Sequence, residues 1–212
     1  MSKTPAQRAR KHGDRAAVAP SGRTPVPDSM SRKAQPGEGN PKLIVIAALG
    51  ATVFMFWYFH LLTLTQMTQL SNGLAMPDSL IGGFSADYVE RLRGAMDADA
   101  LGQLSYVHKT AGTIFSLVFG LTFGVIFAAW AKPRLAKWIG IGLAAAFVVV
   151  RIASFVAIDE ALGSRPFDAG QSVLASVLVI MGWALFALVL VCAAALLIVT
   201  WRRRKAAPSA GS

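Results

Sequence analysis

Four long runs of apolar residues dominate the chain, and each is bounded by polar or turn-forming segments. The runs cover about residues 43–64, 110–131, 136–158 and 172–200. A helix rises roughly 1.5 Å per residue, so runs of this length match the ~30 Å hydrocarbon core of a bilayer. The pattern therefore predicts an all-α integral membrane four-helix bundle over residues 43–201.

The segment between the first two runs, residues 65–109, is predicted to be a loop at the outer face of the membrane. Within it residues 86–96 show a helical alternation of apolar and polar positions behind Ser85, a good N-cap residue. The apolar side of that helix comprises Tyr88, Val89, Leu92 and Met96. A short amphipathic outer helix, lying on the membrane surface or capping the bundle, is the expected result.

Residues 1–42 contain no Leu, Ile, Phe, Trp or Tyr. Such a segment buries too little apolar area to offset its ordering entropy, so we predict a disordered basic cytoplasmic tail. Met30 is a second plausible translation start, and the sequence does not decide between it and Met1. Residues 202–212 form a second basic cytoplasmic tail.

Charge is sparse and unevenly distributed: 15% of residues are charged, against roughly 25% in ordinary soluble domains. Sixteen Lys and Arg residues fall on the side of the two termini and four on the other side. The positive-inside rule then predicts that both termini are cytoplasmic. Because the net charge of +10 follows the sides of the membrane, it indicates no nucleic-acid partner. The expected contacts are the lipid bilayer and, for the basic tails, anionic lipid headgroups.

Small residues recur every fourth position along the second run, which predicts a face for close helix packing. That face comprises Gly112, Ser116, Gly120, Gly124 and Ala128. It is expected to contact a helix of the same chain or of a second copy. For the chain as a whole, a membrane protein partner or a homodimer is a possible assembly. The lone Cys192 allows no disulfide within the chain, and no metal site is predicted.

Arg151 is the one charged residue deep within a run, so it is expected to have a partner. The candidates are Asp78, Asp159 and Glu160, which together with Arg151 form a predicted outer polar cluster. A structural ion pair is favoured, while an anion contact and simple snorkelling to the surface are the alternatives.

His60 and His108 lie near the outer ends of the first two runs. Histidines on adjacent helices can ligate haem iron from both sides, so haem b is a possible cofactor. The simpler interpretation is that His60 forms a hydrogen bond inside the bundle and that His108 is solvated at the interface. No catalytic motif of the GxSxG, HExxH or phosphate-loop type is present, which favours a protein that is not an enzyme.

Several short motifs resemble an uncharacterised bacterial family of four-span membrane proteins with a P-D-x-x-x-G-[YF]-S-like loop after the first span. The motifs are Met76-Pro77-Asp78, Gly83-Phe84-Ser85, Tyr106, the acidic pair Asp159-Glu160 and Gly182-Trp183. The chain departs from the family at His108-Lys109 and Ala161, where an acid and an Asn are expected. The resemblance implies a bacterial plasma membrane protein, and it implies no activity.

The leading functional hypothesis is a non-enzymatic structural or accessory protein, or a small-ligand-binding protein, with its polar cluster on the outer side. One alternative is an electron-transfer protein that holds haem b between His60 and His108. Another is a small transporter, although no inverted repeat is visible.

Overall fold

The computed structural model describes residues 41–206, and this part of the chain is helical and contains no strand. Four of its helical stretches are long and apolar enough to cross a membrane. They are Leu43–Gln69, Ala98–Trp130, Arg134–Gly163 and Ala169–Arg203. The predicted all-α four-span architecture is confirmed. The predicted disordered tail lies outside the described residues, apart from Pro41 and Lys42, which begin the first helix.

The first span consists of α1 (Pro41–Phe56), a π-helical segment (Trp57–Thr63) and α2 (Leu64–Gln69). In a π-helix the backbone hydrogen bonds reach five residues instead of four, which widens the helix locally. The span ends where the backbone adopts positive φ angles, 53° at Asn72 and 84° at Gly73. Glycine and asparagine tolerate this conformation best, which explains why the helix stops here.

Residues 70–97, which we call the cap, lie across one end of the bundle. They contain a 3-10 turn (Pro77–Ser79) and α3 (Ala86–Ala95). The Ser85 hydroxyl accepts a hydrogen bond from the Tyr88 backbone N–H and caps α3. The predicted apolar side of α3 packs inward, with Val89 and Leu92 fully buried. The short amphipathic helix is therefore confirmed as a lid on the bundle.

The second span begins at Ala98, well before the predicted start near residue 110. It consists of α4 (Ala98–Val107), a second π-helical segment (His108–Gly112) and α5 (Thr113–Trp130). The Asp97 carboxylate accepts a hydrogen bond from the Ala100 backbone N–H and starts α4. Polar residues on the exposed face of α4 lower its mean hydropathy. Hydropathy alone therefore places the start of the second span too late. The predicted loop 65–109 is correspondingly too long.

The third and fourth spans, α6 (Arg134–Gly163) and α7 (Ala169–Ala206), also extend beyond their predicted limits. They pack against each other, and α6 also packs against α5. Aromatic side chains fill the centre of the bundle. The largest buried rings are Phe59, Phe115, Phe119 and Phe147.

The predicted small-residue face divides between the interior and the surface of the bundle. A Cβ at Gly112 would collide with the Phe155 ring, and one at Gly120 would collide with Val148 on α6. Ser116 is fully buried and donates a hydrogen bond to the Gly112 carbonyl. These three residues let the second span approach the neighbouring helices of the same chain, whereas Gly124 has no heavy atom within 4 Å of an added Cβ. Gly124 and Ala128 border an open apolar groove between α5 and α6.

Candidate functional site: a buried charge cluster beneath the cap

The cap places one carboxylate inside the bundle. Asp78 lies in the 3-10 turn behind Pro77, whose ring occupies the first position of the turn and fixes its φ angle. The Asp78 side chain is 0% exposed. A carboxylate that is removed from water is costly unless other groups hydrogen-bond to it, and the second and third spans supply such groups.

His108 of the second span lies between two carboxylates. Its Nε2 is 2.8 Å from Asp78 Oδ2, and its Nδ1 is 2.6 Å from Asp159 Oδ1. An ionised carboxylate only accepts hydrogen bonds, so both ring nitrogens must donate, which is the bonding pattern of an imidazolium. The ring stacks on Phe155 with centroids 5.0 Å apart. His108 therefore bridges the cap to the third span.

Arg151 of the third span approaches the other Asp78 oxygen. Its Nη2 donates to Asp78 Oδ1 across 3.3 Å, and its guanidinium lies over the Phe155 ring at 4.8 Å from the centroid. Gly182 on α7 makes room for this side chain, because a Cβ there would lie 2.8 Å from Arg151 Cδ. Arg151 is 2% exposed.

The fourth span binds the backbone of the cap. Trp183 Nε1 donates to the Asp78 carbonyl across 3.0 Å, and the Phe84 backbone N–H donates to Ser176 Oγ across 2.8 Å. At the far edge of the cap, Arg93 Nη2 donates to the Ser164 carbonyl across 2.6 Å. The cap is thus attached to the second, third and fourth spans by polar contacts.

The charges of the cluster balance. Asp78 and Asp159 carry two negative charges, and Arg151 and the imidazolium of His108 carry two positive ones. Burial on its own would raise the pKa of Asp78, but the positive charges of His108 and Arg151 outweigh burial and hold that pKa below its usual value of 3.8. Removing one member leaves an uncompensated buried charge, whereas the complete set is neutral.

His60 lies apart from this cluster, in the π-helical segment of the first span. Its ring packs among aromatic side chains, including Phe56 at 4.7 Å and Trp183 at 5.2 Å between centroids. His60 Nδ1 and Arg151 Nη1 have no hydrogen-bond partner. His60 and Arg151 both line a cavity of about 10 Å³, which is close to the smallest volume that holds one water molecule.

The histidines as arranged do not fit a haem iron. Both ring nitrogens of His108 already bind carboxylates, and aromatic rings fill the space around His60. Within residues 41–206, no group of three or more His, Cys, Asp or Glu side chains is placed to hold a metal ion. Haem b between His60 and His108 stays a prediction from the sequence alone.

Of the predicted outer polar residues, the structure brings Asp78, Arg151 and Asp159 together and leaves Glu160 exposed outside the cluster. The interpretation of His108 as a solvated interfacial residue is wrong, because its helix begins ten residues earlier and buries it at 1% exposure. Sequence reasoning missed the roles of Phe155, Gly182 and Trp183. The Gly182-Trp183 pair was visible only as part of the family resemblance.

Comparison of the whole chain with protein-family models, curated proteins and solved structures gives no significant match.

Proposed function

We propose that this chain is a non-enzymatic accessory protein of the membrane, in which the charge cluster fastens a rigid cap that contacts a membrane protein partner. One observation carries the proposal: Asp78, a single cap residue, is fully buried and binds side chains from three different spans. A cap held in this way keeps one defined surface.

The arrangement of the cluster favours a structural role over ligand binding. Both oxygens of Asp78 and both ring nitrogens of His108 are already bonded to protein groups. The adjacent cavity of about 10 Å³ is far smaller than the ~300–1,000 Å³ of typical ligand pockets. Arg151 Nη1 is a polar atom of the cluster without a hydrogen-bond partner, and the cavity that Arg151 lines is too small for an organic ligand.

The partner-contacting surface is expected on the cap itself. Ile81 is 63% exposed, and Leu70, at the start of the cap, is also exposed. Exposed apolar residues beside charged ones such as Glu90 and Arg91 are typical of surfaces that bind other proteins.

A photo-crosslinking amino acid at position 81, introduced into cells that make the full chain, tests this role. The proposal predicts a discrete crosslinked protein in the wild-type background and in Glu90→Gln, and its loss in Asp78→Asn, which releases the cap. The control Glu90→Gln removes a charge from the same segment without touching the cluster. Equal crosslinking in all three backgrounds, or none in any, would reject the proposal.

The proposed location is a bacterial plasma membrane with both termini in the cytoplasm. The distribution of Lys and Arg supports this orientation, with Lys132 in the turn between α5 and α6 and with Arg134 and Lys137 at the start of α6. Single cysteines placed at Ser79 and at Lys132 in a Cys192→Ala background test it. A membrane-impermeant maleimide added to whole cells should label position 79 and spare position 132, and the reverse pattern would overturn the orientation. The resemblance to the four-span family remains part of this proposal.

A small transporter is the second candidate, and the two π-helical segments favour it. His60 and His108 each lie in such a segment, and π-helical segments recur at functional sites of membrane-spanning and soluble helices. Proteoliposomes loaded with a pH-sensitive dye test the simplest case, proton movement. Proton uptake that is abolished by His108→Gln would support transport. Dye signals equal to those of empty vesicles would reject the transporter candidate.

A further inference from the structure

A wide groove opens at the end of the bundle opposite the cap. It has a volume of about 730 Å³ and lies between the turn that joins α5 to α6 and the last turns of α7. The residues that line it include the alanines at positions 129, 136 and 195, whose small side chains take up little of the space. The groove walls are mostly apolar and are suited to hydrocarbon.

Two cations from different elements border this apolar groove. Lys132 follows directly on α5, and Arg203 lies near the end of α7. Long basic side chains at the ends of membrane helices extend toward the headgroup layer while their stems cover apolar surface. Trp130, an aromatic residue suited to the membrane interface, lines the same groove.

A second apolar groove of about 420 Å³ lies beside the first. The two grooves share the lining residues Trp130 and Thr200. The second groove is bordered by Val45, Ile126 and Leu197, and among the side chains that the structure describes, those of residues 43–203, no Lys or Arg lines it. Two adjoining apolar grooves, the first of them bordered by Lys132 and Arg203, match a molecule with two hydrocarbon chains and one anionic head.

We propose that this end of the bundle binds an anionic diacyl phospholipid, with its phosphate between Lys132 and Arg203 and its acyl chains in the two grooves. The contact is a defined site, distinct from the general attraction of basic tails to anionic membranes. It is independent of the proposed role of the cap, since it lies at the other end of the molecule.

The charge test compares two double variants of the purified full chain. Native mass spectrometry would measure retained phosphatidylglycerol against phosphatidylcholine with the same acyl chains. The proposal predicts that Lys132→Gln/Arg203→Gln lowers the preference for phosphatidylglycerol roughly tenfold or more, since each base near a headgroup contributes appreciably to binding. Arg134→Gln/Arg202→Gln removes the same charge from exposed residues at the same end, outside the groove, and should retain the preference.

A steric test leaves every charge in place. Ala195→Phe would fill the first groove, whereas Ala194→Phe changes the neighbouring exposed residue, which does not line it. Only Ala195→Phe should lower phosphatidylglycerol retention, and inorganic phosphate at matched ionic strength should not displace the lipid.

Three results would overturn the proposal. An equal loss of the preference for phosphatidylglycerol in both double variants would mean that diffuse charge attraction alone holds the lipid. Displacement by inorganic phosphate would mean a site for the phosphate group without the chains. A dimer that Ala195→Phe disrupts would mean that a second copy of the chain occupies the groove.

Discussion

Asp78 and His108 are separated by thirty residues in the chain, yet Asp78 Oδ2 lies 2.8 Å from His108 Nε2 in a site closed to solvent. One residue belongs to the cap and the other to the second span. The contact therefore fixes the position of a polar segment over a bundle of apolar helices. Arg151 and Asp159 complete a neutral group of four charges around it.

The Asp78–Arg151 pair is expected to show strong energetic coupling. Asp78→Asn and Arg151→Met should each destabilise the protein by about 3 kcal/mol, because each leaves a buried charge without its partner. The double variant should lose less than the sum of the two, by roughly 1–3 kcal/mol. Unfolding in detergent, followed by intrinsic fluorescence, would measure all three free energies.

The exposed Arg165 provides the control for the cycle. Arg165→Gln, alone and combined with Asp78→Asn, should give additive changes. If the free-energy changes of Asp78→Asn and Arg151→Met were also additive, the Asp78–Arg151 contact would contribute no specific stabilisation.

The lowered pKa of Asp78 predicts a dependence of stability on acid. A carboxyl whose pKa is lower in the folded state stabilises the fold above its unfolded-state pKa, and the stabilisation is lost as pH falls. The free energy of unfolding should thus start to decline near the usual pKa of 3.8 and continue to fall below it. Denaturant titrations between pH 6 and the acid limit would measure this, and Asp78→Asn should have a shallower slope. Parallel slopes in the two proteins would contradict the assignment.

Gly83 is required by both its backbone angle and its surroundings. Its φ is 79°, and a Cβ would lie 2.5 Å from Ser176 Oγ, the atom that accepts the Phe84 backbone hydrogen bond. Gly83→Ala should cost about 2 kcal/mol of stability through strain and the loss of that bond. Gly82→Ala, with no heavy atom within 4 Å of the added Cβ, is the matched control. Thermal melts of the two variants should differ clearly, and coincident melts would show that the cap tolerates a side chain at position 83.

The sequence was sufficient to predict the main architecture. Span length and hydropathy gave four crossings, and the positions of Val89 and Leu92 gave the amphipathic helix of the cap. These features are local, since they depend on the periodicity, capping and conformational freedom of consecutive residues.

The cluster could be predicted only in part, because its partners come from distant segments. Because burying the charge of Arg151 is costly, the sequence predicted that it has a partner. Spacing along the sequence could not select Asp78 over Asp159 or Glu160 as that partner. His108 appeared interfacial, because the polar face of α4 concealed a helix that begins at Ala98. The two π-helical segments have no breaker residue such as proline, so nothing in the local sequence marks them.

The arrangement of the histidines predicts a colourless protein. With both nitrogens of His108 bonded to carboxylates, no ligand pair for haem b is available between His60 and His108. Protein made with an adequate haem supply should show no Soret band, before or after reduction with dithionite. A Soret band with sharpened reduced α and β bands, lost in His60→Ala or His108→Ala, would establish the electron-transfer alternative instead.

Hydrogen exchange of the full chain tests the central claim, that Asp78 fastens the cap to the bundle. Exchange rates of backbone amides would be compared for the wild type, Asp78→Asn and Glu90→Gln, resolved to residues 70–97 and to α6. Loss of the Asp78 contacts should speed exchange throughout the cap in Asp78→Asn, while α6 stays protected and Glu90→Gln matches the wild type. Unchanged protection of the cap in Asp78→Asn would contradict the claim.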